Sequence, residues 1–276
     1  MDYRFWFKRI GATEDFEIFC IDDLTKSIGR YDSVTGEIYD FDCNYDPLEA
    51  YEDFERFKTL PEYAVGLEID REKLSVKSQA AYEYMHDTVT TLIKGCCNIM
   101  YSDRVVAQKY AERAIEWLEG TDFYIAPAST KYHDSEVHGL MKHTLKVVQA
   151  LNDLSALPQF KNVNLAEATL AAIVHDWCKI DFYESYTKNV KNETTGVWEK
   201  ELAYRYKGIK YPFGHGVTSY FIASRIFKLS IEQALAIRWH MGEYNVCDSE
   251  RHDLMEANER YPMVQMLQIA DRMAIL

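Results

Sequence analysis

Residues 171–180, AAIVHDWCKI, hold the question on which the fold turns: an apolar run ends in His175 and Asp176, and Lys179 follows three residues later. A segment greasy enough to be buried has no cheap place for two ionisable groups, because a buried charge costs several kcal/mol unless it is paired or bound to a metal. A partner is therefore expected elsewhere in the chain. The run opens at Asn164, with Glu167 three residues on, which resembles a capping box. The helix that follows, LAEATLAAIVHDW, is apolar nearly all round, so it belongs at the centre of a helical domain.

Working outward, the flanking segments are helical as well. SQAAYEYMHDTVTTLIKGCCNIM and SDRVVAQKYAERAIEWLEG carry apolar residues at three- and four-residue intervals, and Gly120 ends the second. Ser135 is expected to cap a helix through EVHGLMKHTLKVVQALNDL, and GHGVTSYFIASRIFKL supplies another. Ser230 with Gln233 makes a capping box for IEQALAIRWHM, and Pro262 suits the first turn of YPMVQMLQIADRMAIL. The first 45 or so residues read instead as short strands, with a hairpin turn at Thr35-Gly36, and a helix is expected around DPLEAYEDFERF. Between residues 182 and 211 a Tyr-, Lys- and Thr-rich stretch turns at Thr195-Gly196 and reads as an inserted two-stranded ribbon. The expectation is a mainly α protein with an acidic, aromatic α+β region over 1–74 and a helical domain over 75–276 that carries the ribbon.

Five helical elements present an imidazole or a carboxylate in a telling place: His143, the pair His175-Asp176, His215 at a helix start, His240 in a last turn, and Asp271 inside an apolar stripe. Successive members are 32, 40, 25 and 31 residues apart, room for one helix and its connection each time. Taken singly, each has a plainer reading, as a hydrogen-bonded packing histidine or an aspartate paired with a base such as Arg238. Taken together, four imidazoles and two carboxylates suit one or two divalent ions. The metal charge would then be the partner that Asp176 requires.

This order, H…HD…H…H…D, resembles the HD-domain metal-dependent phosphohydrolase superfamily, and HDWCKI resembles its HD-x-x-K form. The resemblance covers roughly residues 130–276 and implies a helical HD-domain bundle. It implies a dinuclear centre of Mn, Mg, Fe or Ni, with Asp176 bridging. His143, His175 and Asp271 would serve one ion, and His215 and His240 the other. It also implies hydrolysis by a metal-activated hydroxide of a phosphoester in a nucleotide, cyclic nucleotide or short oligonucleotide. Asp176 and Lys179 would be catalytic, the lysine steadying a phosphate oxygen or leaving group as a point charge. The G-Y-P signature of the cyclic-dinucleotide branch is absent.

Further residues are weaker candidates. His138 and His133, just before the His143 helix, could donate a proton near the site or be solvated loop residues. The ribbon brings Lys188, Arg205 and Lys207, which contact substrate if it acts as a lid and are ordinary surface charges if it does not. Thr144 and Ser219 could support the ligands, and His86 and His252 fit no ligand position.

Composition bounds these readings. The net charge of −13 argues against a general nucleic-acid binder. Residues 1–75 hold 19 acidic against 9 basic residues, and the remainder is nearly balanced at 25 against 22, so the helical half can still receive an anion. No apolar stretch suits a bilayer, MDYRFWFKRI lacks a secretory layout, and six cysteines without zinc spacing read as reduced thiols. A cytoplasmic protein free of membrane is expected. Two rivals stand beside the hydrolase. One is a di-iron oxygenase of the kind found in the inositol-oxygenase branch. The other is a ligand-sensing or interaction module whose acidic N-terminal surface recruits a basic partner, mimics nucleic acid or mediates homo-oligomer formation.

Overall fold

The computed structural model describes residues 5–9, 15–20, 23–32, 35, 37–42, 44–45, 47, 50, 69–75, 77–208, 211–244 and 246–275. Near the N-terminus, β1 (Phe5–Arg9), β2 (Asp15–Cys20), β3 (Asp23–Asp32) and β4 (Ile38–Tyr39) form an antiparallel meander in sequence order. Alternation puts Phe16 and Ile18 of β2 on one face. There they pack with Ile28 and Tyr31 of β3 into a small core of their own. The expected hairpin joins β3 to β4, pairing Arg30 with Tyr39 and Tyr31 with Ile38. The helix expected over 46–57 lies largely outside the described residues.

The rest is helical: α1 (Arg71–Ser75), α2 (Gln79–Met100), α3 (Arg104–Glu119), α4 (Gly139–Ser155), α5 (Leu165–Val174), α6 (His215–Ser224), α7 (Ile231–Trp239), α8 (Arg251–Arg260) and α9 (Pro262–Ala274). α5 is the axis of this bundle. Every residue from Ala168 to Val174 is buried, and α2, α4 and α7 pack around it. The apolar-all-round pattern of its sequence has that cause. Asn164 caps α5 by accepting from the backbone N–H groups of Ala166 and Glu167. The Glu167 carboxylate takes the Ser230 hydroxyl instead of closing a box, which ties α5 to the start of α7. The Ser230–Gln233 capping box forms as expected, and Pro262 is the first residue of α9.

One expected cap does not form. α4 begins at Gly139, four residues past Ser135, behind His138 in a left-handed conformation. The preceding loop folds back on itself: Ala128 donates to the Asp134 carbonyl, and Leu140 donates to that of Ala126. A Cβ on Gly139 would stand 1.9 Å from the Asp134 oxygen. The tight loop claims residues 134–138, so the helix starts where a glycine lets the backbone pass.

Between α5 and α6 the chain makes a short 3-10 turn (Trp177–Lys179) and then the inserted hairpin, β5 (Tyr183–Lys191) paired with β6 (Trp198–Tyr206). Its connection uses Gly196 at positive φ. The fold is thus a mainly α bundle with a small N-terminal sheet and an inserted ribbon. No described helix is long and apolar enough to cross a membrane.

Candidate metal centre

α5 ends at His175, and Asp176 opens the 3-10 turn. The apolar helix therefore delivers both groups into the interior, and the other four elements meet them there. His143, His175, Asp176 and His240 are at most 2% exposed. The His143 Nε2 stands 3.3 Å from the His175 Nε2, 3.5 Å from Asp176 Oδ2 and 3.1 Å from Asp271 Oδ1. The His175 Nε2 is 3.4 Å from Asp176 Oδ2 and 3.7 Å from Asp271 Oδ1. Ligand atoms about 2.1 Å from a common ion stand about 3.0–3.4 Å from one another, so the His143 and His175 Nε2 atoms and Asp176 Oδ2 have close to the spacing of one coordination sphere, and Asp271 Oδ1 approaches the same two nitrogens.

Asp176 turns its other oxygen to a second set. Oδ1 lies 2.7 Å from the His215 Nε2 and 3.7 Å from the His240 Nε2. The His240 Nε2 is buried and has no hydrogen-bond partner. An orphaned nitrogen aimed at a carboxylate oxygen is the signature of a ligand position, since such a vacancy otherwise costs about 1–3 kcal/mol. His240 also lies within reach of His175 and Asp271, so it stands between the two sets.

The far nitrogens of these rings explain their orientation. His175 Nδ1 lies 2.6 Å from the Ala172 carbonyl and His240 Nδ1 lies 2.8 Å from that of Ile237. Donation there leaves each Nε2 a free lone pair, the tautomer a metal needs. At His215 the Nδ1 faces a thiol instead: Cys178 Sγ is 3.3 Å away, with its backbone N–H held by the Ser219 hydroxyl. Cys178 was invisible as a site residue in the sequence because a thiol two positions past Asp176 is a ligand neighbour only if the 3-10 turn brings it round.

Lys179 is not a surface lysine. Its ammonium lies 2.6 Å from Asp176 Oδ2 with the side chain 13% exposed, so it is the cation that balances the buried carboxylate in this structure. Burial alone would raise the Asp176 carboxyl, yet Lys179 and His175 hold it well below the usual carboxylate range. His215 moves the other way: burial opposes its proton, but Cys178 and Asp176 push it up to about 10.

Of the two histidines before α4, the structure brings His133 to the cluster. Its ring centroid is 4.9 Å from that of His143, its Nε2 is buried without a partner, and burial together with His143 lowers it to about 4. His138 turns away, with Nδ1 on the Tyr124 carbonyl and its ring against Tyr82. Asp271 faces His143, while Arg238 pairs with Glu250 and stacks on Trp239. Thr144 returns its hydroxyl to the Leu140 carbonyl. On the ribbon, Lys188 pairs across the strands with Glu201, and Arg205 with Glu184. Lys207 sits near Asp122. These three cations thus face carboxylates of the protein itself. The middle of β6, at Glu201, Leu202 and Tyr204, borders a groove shared with α2 and His138.

A cavity of about 810 Å³ opens beside the centre, and Cys178 and His215 form part of its wall. Its volume suits a small-molecule ligand.

Compared with known proteins, residues 140–276 match the family model of the HD domain. No curated protein and no solved structure matches the chain.

Proposed function

Because its C-terminal half places this chain in the HD-domain superfamily, whose members bind divalent metals, we propose that it is a metal-dependent phosphohydrolase. Its substrate would be a phosphoester of a nucleotide, cyclic nucleotide or short oligonucleotide. The observation that carries this reading is the two-sided carboxylate of Asp176, with His143 and His175 beside Oδ2, Asp271 against those same two imidazoles, and His215 and His240 beside Oδ1.

On this reading His143, His175, Asp176 and Asp271 hold one divalent ion, and Asp176, His215 and His240 a second. Such ions supply Lewis-acid activation of water and neutralise charge on phosphoryl oxygens. The chain's own residues do the rest. Ala172 and Ile237, through their carbonyls, fix the imidazole rings. Lys179, released from Asp176 when metal charge replaces it, meets a phosphoryl oxygen or the leaving oxygen as a compact cation. His133, neutral near pH 7, lies where it can hold or pass a proton beside His143. The cavity next to His215 admits the substrate while the α5 core keeps bulk water from the other side.

The test is metal analysis of the purified protein, joined to a screen of nucleotides, cyclic nucleotides and simple phosphodiesters under Mn, Mg, Ni and Fe. Chelator-sensitive phosphate or nucleotide release at about two ions per chain supports the reading. Oxygen consumption with no phosphoester turnover would replace it with the di-iron oxygenase.

A further inference from the structure

α6 runs along the cavity like a ruler. His215, Thr218, Phe221, Ile222 and Arg225 all line it and recur every three or four residues, which is one helix face. His215 starts the helix at the Asp176 cluster and Arg225 lies just past its end. Ten residues of helix separate their backbones by about 15 Å. α3 lines the cavity as well, through Arg113, Glu116 and Trp117. Just past its C-terminal end the chain meets the segment that follows the cluster, where the Asp181 N–H donates to the Asp122 carboxylate at 2.6 Å. Midway along α3, Tyr110 packs on Phe227, three residues past the end of α6, with ring centroids 6.5 Å apart. Arg113, one turn on from Tyr110, lines the same cavity as Arg225.

These two arginines have no carboxylate partner among the described residues, in a chain with 44 acidic side chains against 31 basic ones. The Arg225 guanidinium lies over the Phe221 ring at 5.7 Å, which holds its fork in one orientation. Between the arginines and His215 the walls are aromatic. Trp117 stands on α3, and Tyr211 and Phe221 line the other side, with Phe213 packed behind them at ring centroid distances of 5.3–6.4 Å. Aromatic faces ending in free guanidiniums suit flat bases joined to phosphates.

We infer that the cavity is a two-anion subsite for a short, end-phosphorylated oligonucleotide: a phosphodiester at the His215 end, and the terminal phosphate on Arg113 and Arg225. This rests on the phosphohydrolase reading and narrows its substrate. In the reaction the P–O ester bond breaks, and water supplies the new oxygen on phosphorus and the proton on the departing hydroxyl. Trp117 and Phe221 hold the bases, and a ligand with a single phosphate group fills only one end of the cavity.

The experiment compares a 5′-phosphorylated dinucleotide and trinucleotide with their dephosphorylated forms on the metal-loaded protein. KM is read from turnover, and Kd from titration calorimetry in parallel. The wild type should favour the phosphorylated forms by about tenfold or more. In Arg225→Glu and Arg113→Glu the ratio should fall to about one, and Arg225→Lys should restore part of it, with metal content serving as the check on folding. Equal affinity for both forms in the wild type, or a ratio unchanged in both glutamate variants, overturns the subsite. The phosphohydrolase reading is judged separately, by chelator-sensitive cleavage of bis(p-nitrophenyl) phosphate. If that cleavage is absent, the Kd ratio still decides whether the arginines read a terminal phosphate.

Discussion

Replacing Lys179 with methionine tests the charge balance at the heart of the site. The ammonium lies 2.6 Å from Asp176 Oδ2, and both side chains are at most 13% exposed. Removing one member of a buried pair leaves the other uncompensated and costs about 3–5 kcal/mol. For a chain of this size each kcal/mol moves the melting temperature by about 2–4 °C, so chelator-treated Lys179→Met should melt roughly 6–20 °C below chelated wild type. Metal should reverse much of this, because an ion bound at Asp176 supplies the missing charge. The ammonium also competes with that ion: two unit charges about 4 Å apart at an effective dielectric of about 20 repel by about 4 kcal/mol. Even with most of that relieved by the side chain swinging away, the variant should bind metal at least about tenfold more tightly. Calorimetric melting with and without chelator gives the first quantity, and metal titration of the chelated protein gives the second. If chelated variant and wild type melt together, Asp176 does not depend on Lys179. If metal binding weakens, the ammonium supports the ion and the competition argument fails.

The pH dependence follows from His215. Its proton, held up to about 10 by Cys178 and Asp176 against burial, stabilises the ion-free fold fully below the ordinary imidazole value of about 6.5. That contribution is lost as pH rises through the folded value. Metal at Nε2 must displace this proton, so affinity should climb between those two pH values and binding at pH 8 should release about one proton. Titration in buffers of different ionisation enthalpy measures this, and a flat affinity removes His215 from the ligand set. Gly216→Ala attacks the same ion sterically: a Cβ there would stand 2.2 Å from the Arg238 carbonyl oxygen and 2.7 Å from that of Ile237. It should push α6 off α7 at a cost of about 1–3 kcal/mol, taking His215 from His240 and lowering bound metal from about two ions to about one by elemental analysis. Trp177→Ala removes a fully buried indole packed between Trp117 and Phe227. Denaturant unfolding should show a loss of about 3–5 kcal/mol, and a loss below 1 kcal/mol would mean that this aromatic stack is not a support of the cavity wall.

Much of this protein was determined by the order of its residues. Helix positions follow from apolar spacing and from local caps such as Asn164 and Ser230, whose side chains meet backbone two or three residues away. The six-residue constellation was legible for a related reason: a carboxylate and an imidazole closing an apolar run demand a partner whatever the fold. What depended on distant segments meeting was not legible. Ser135 fails as a cap because the loop before Gly139 is claimed by its own long-range backbone bonds. Cys178 gains its place beside His215 only when the turn after Asp176 packs on α6. His133 rather than His138 faces His143, a choice of side that one loop makes in three dimensions. Ribbon cations that read as substrate contacts find cross-strand carboxylates, since strand register alone decides which side chains stand opposite. Local chemistry is written along the chain, but which groups share one dry interior is settled by packing, because helices many residues apart must bury their apolar faces against each other.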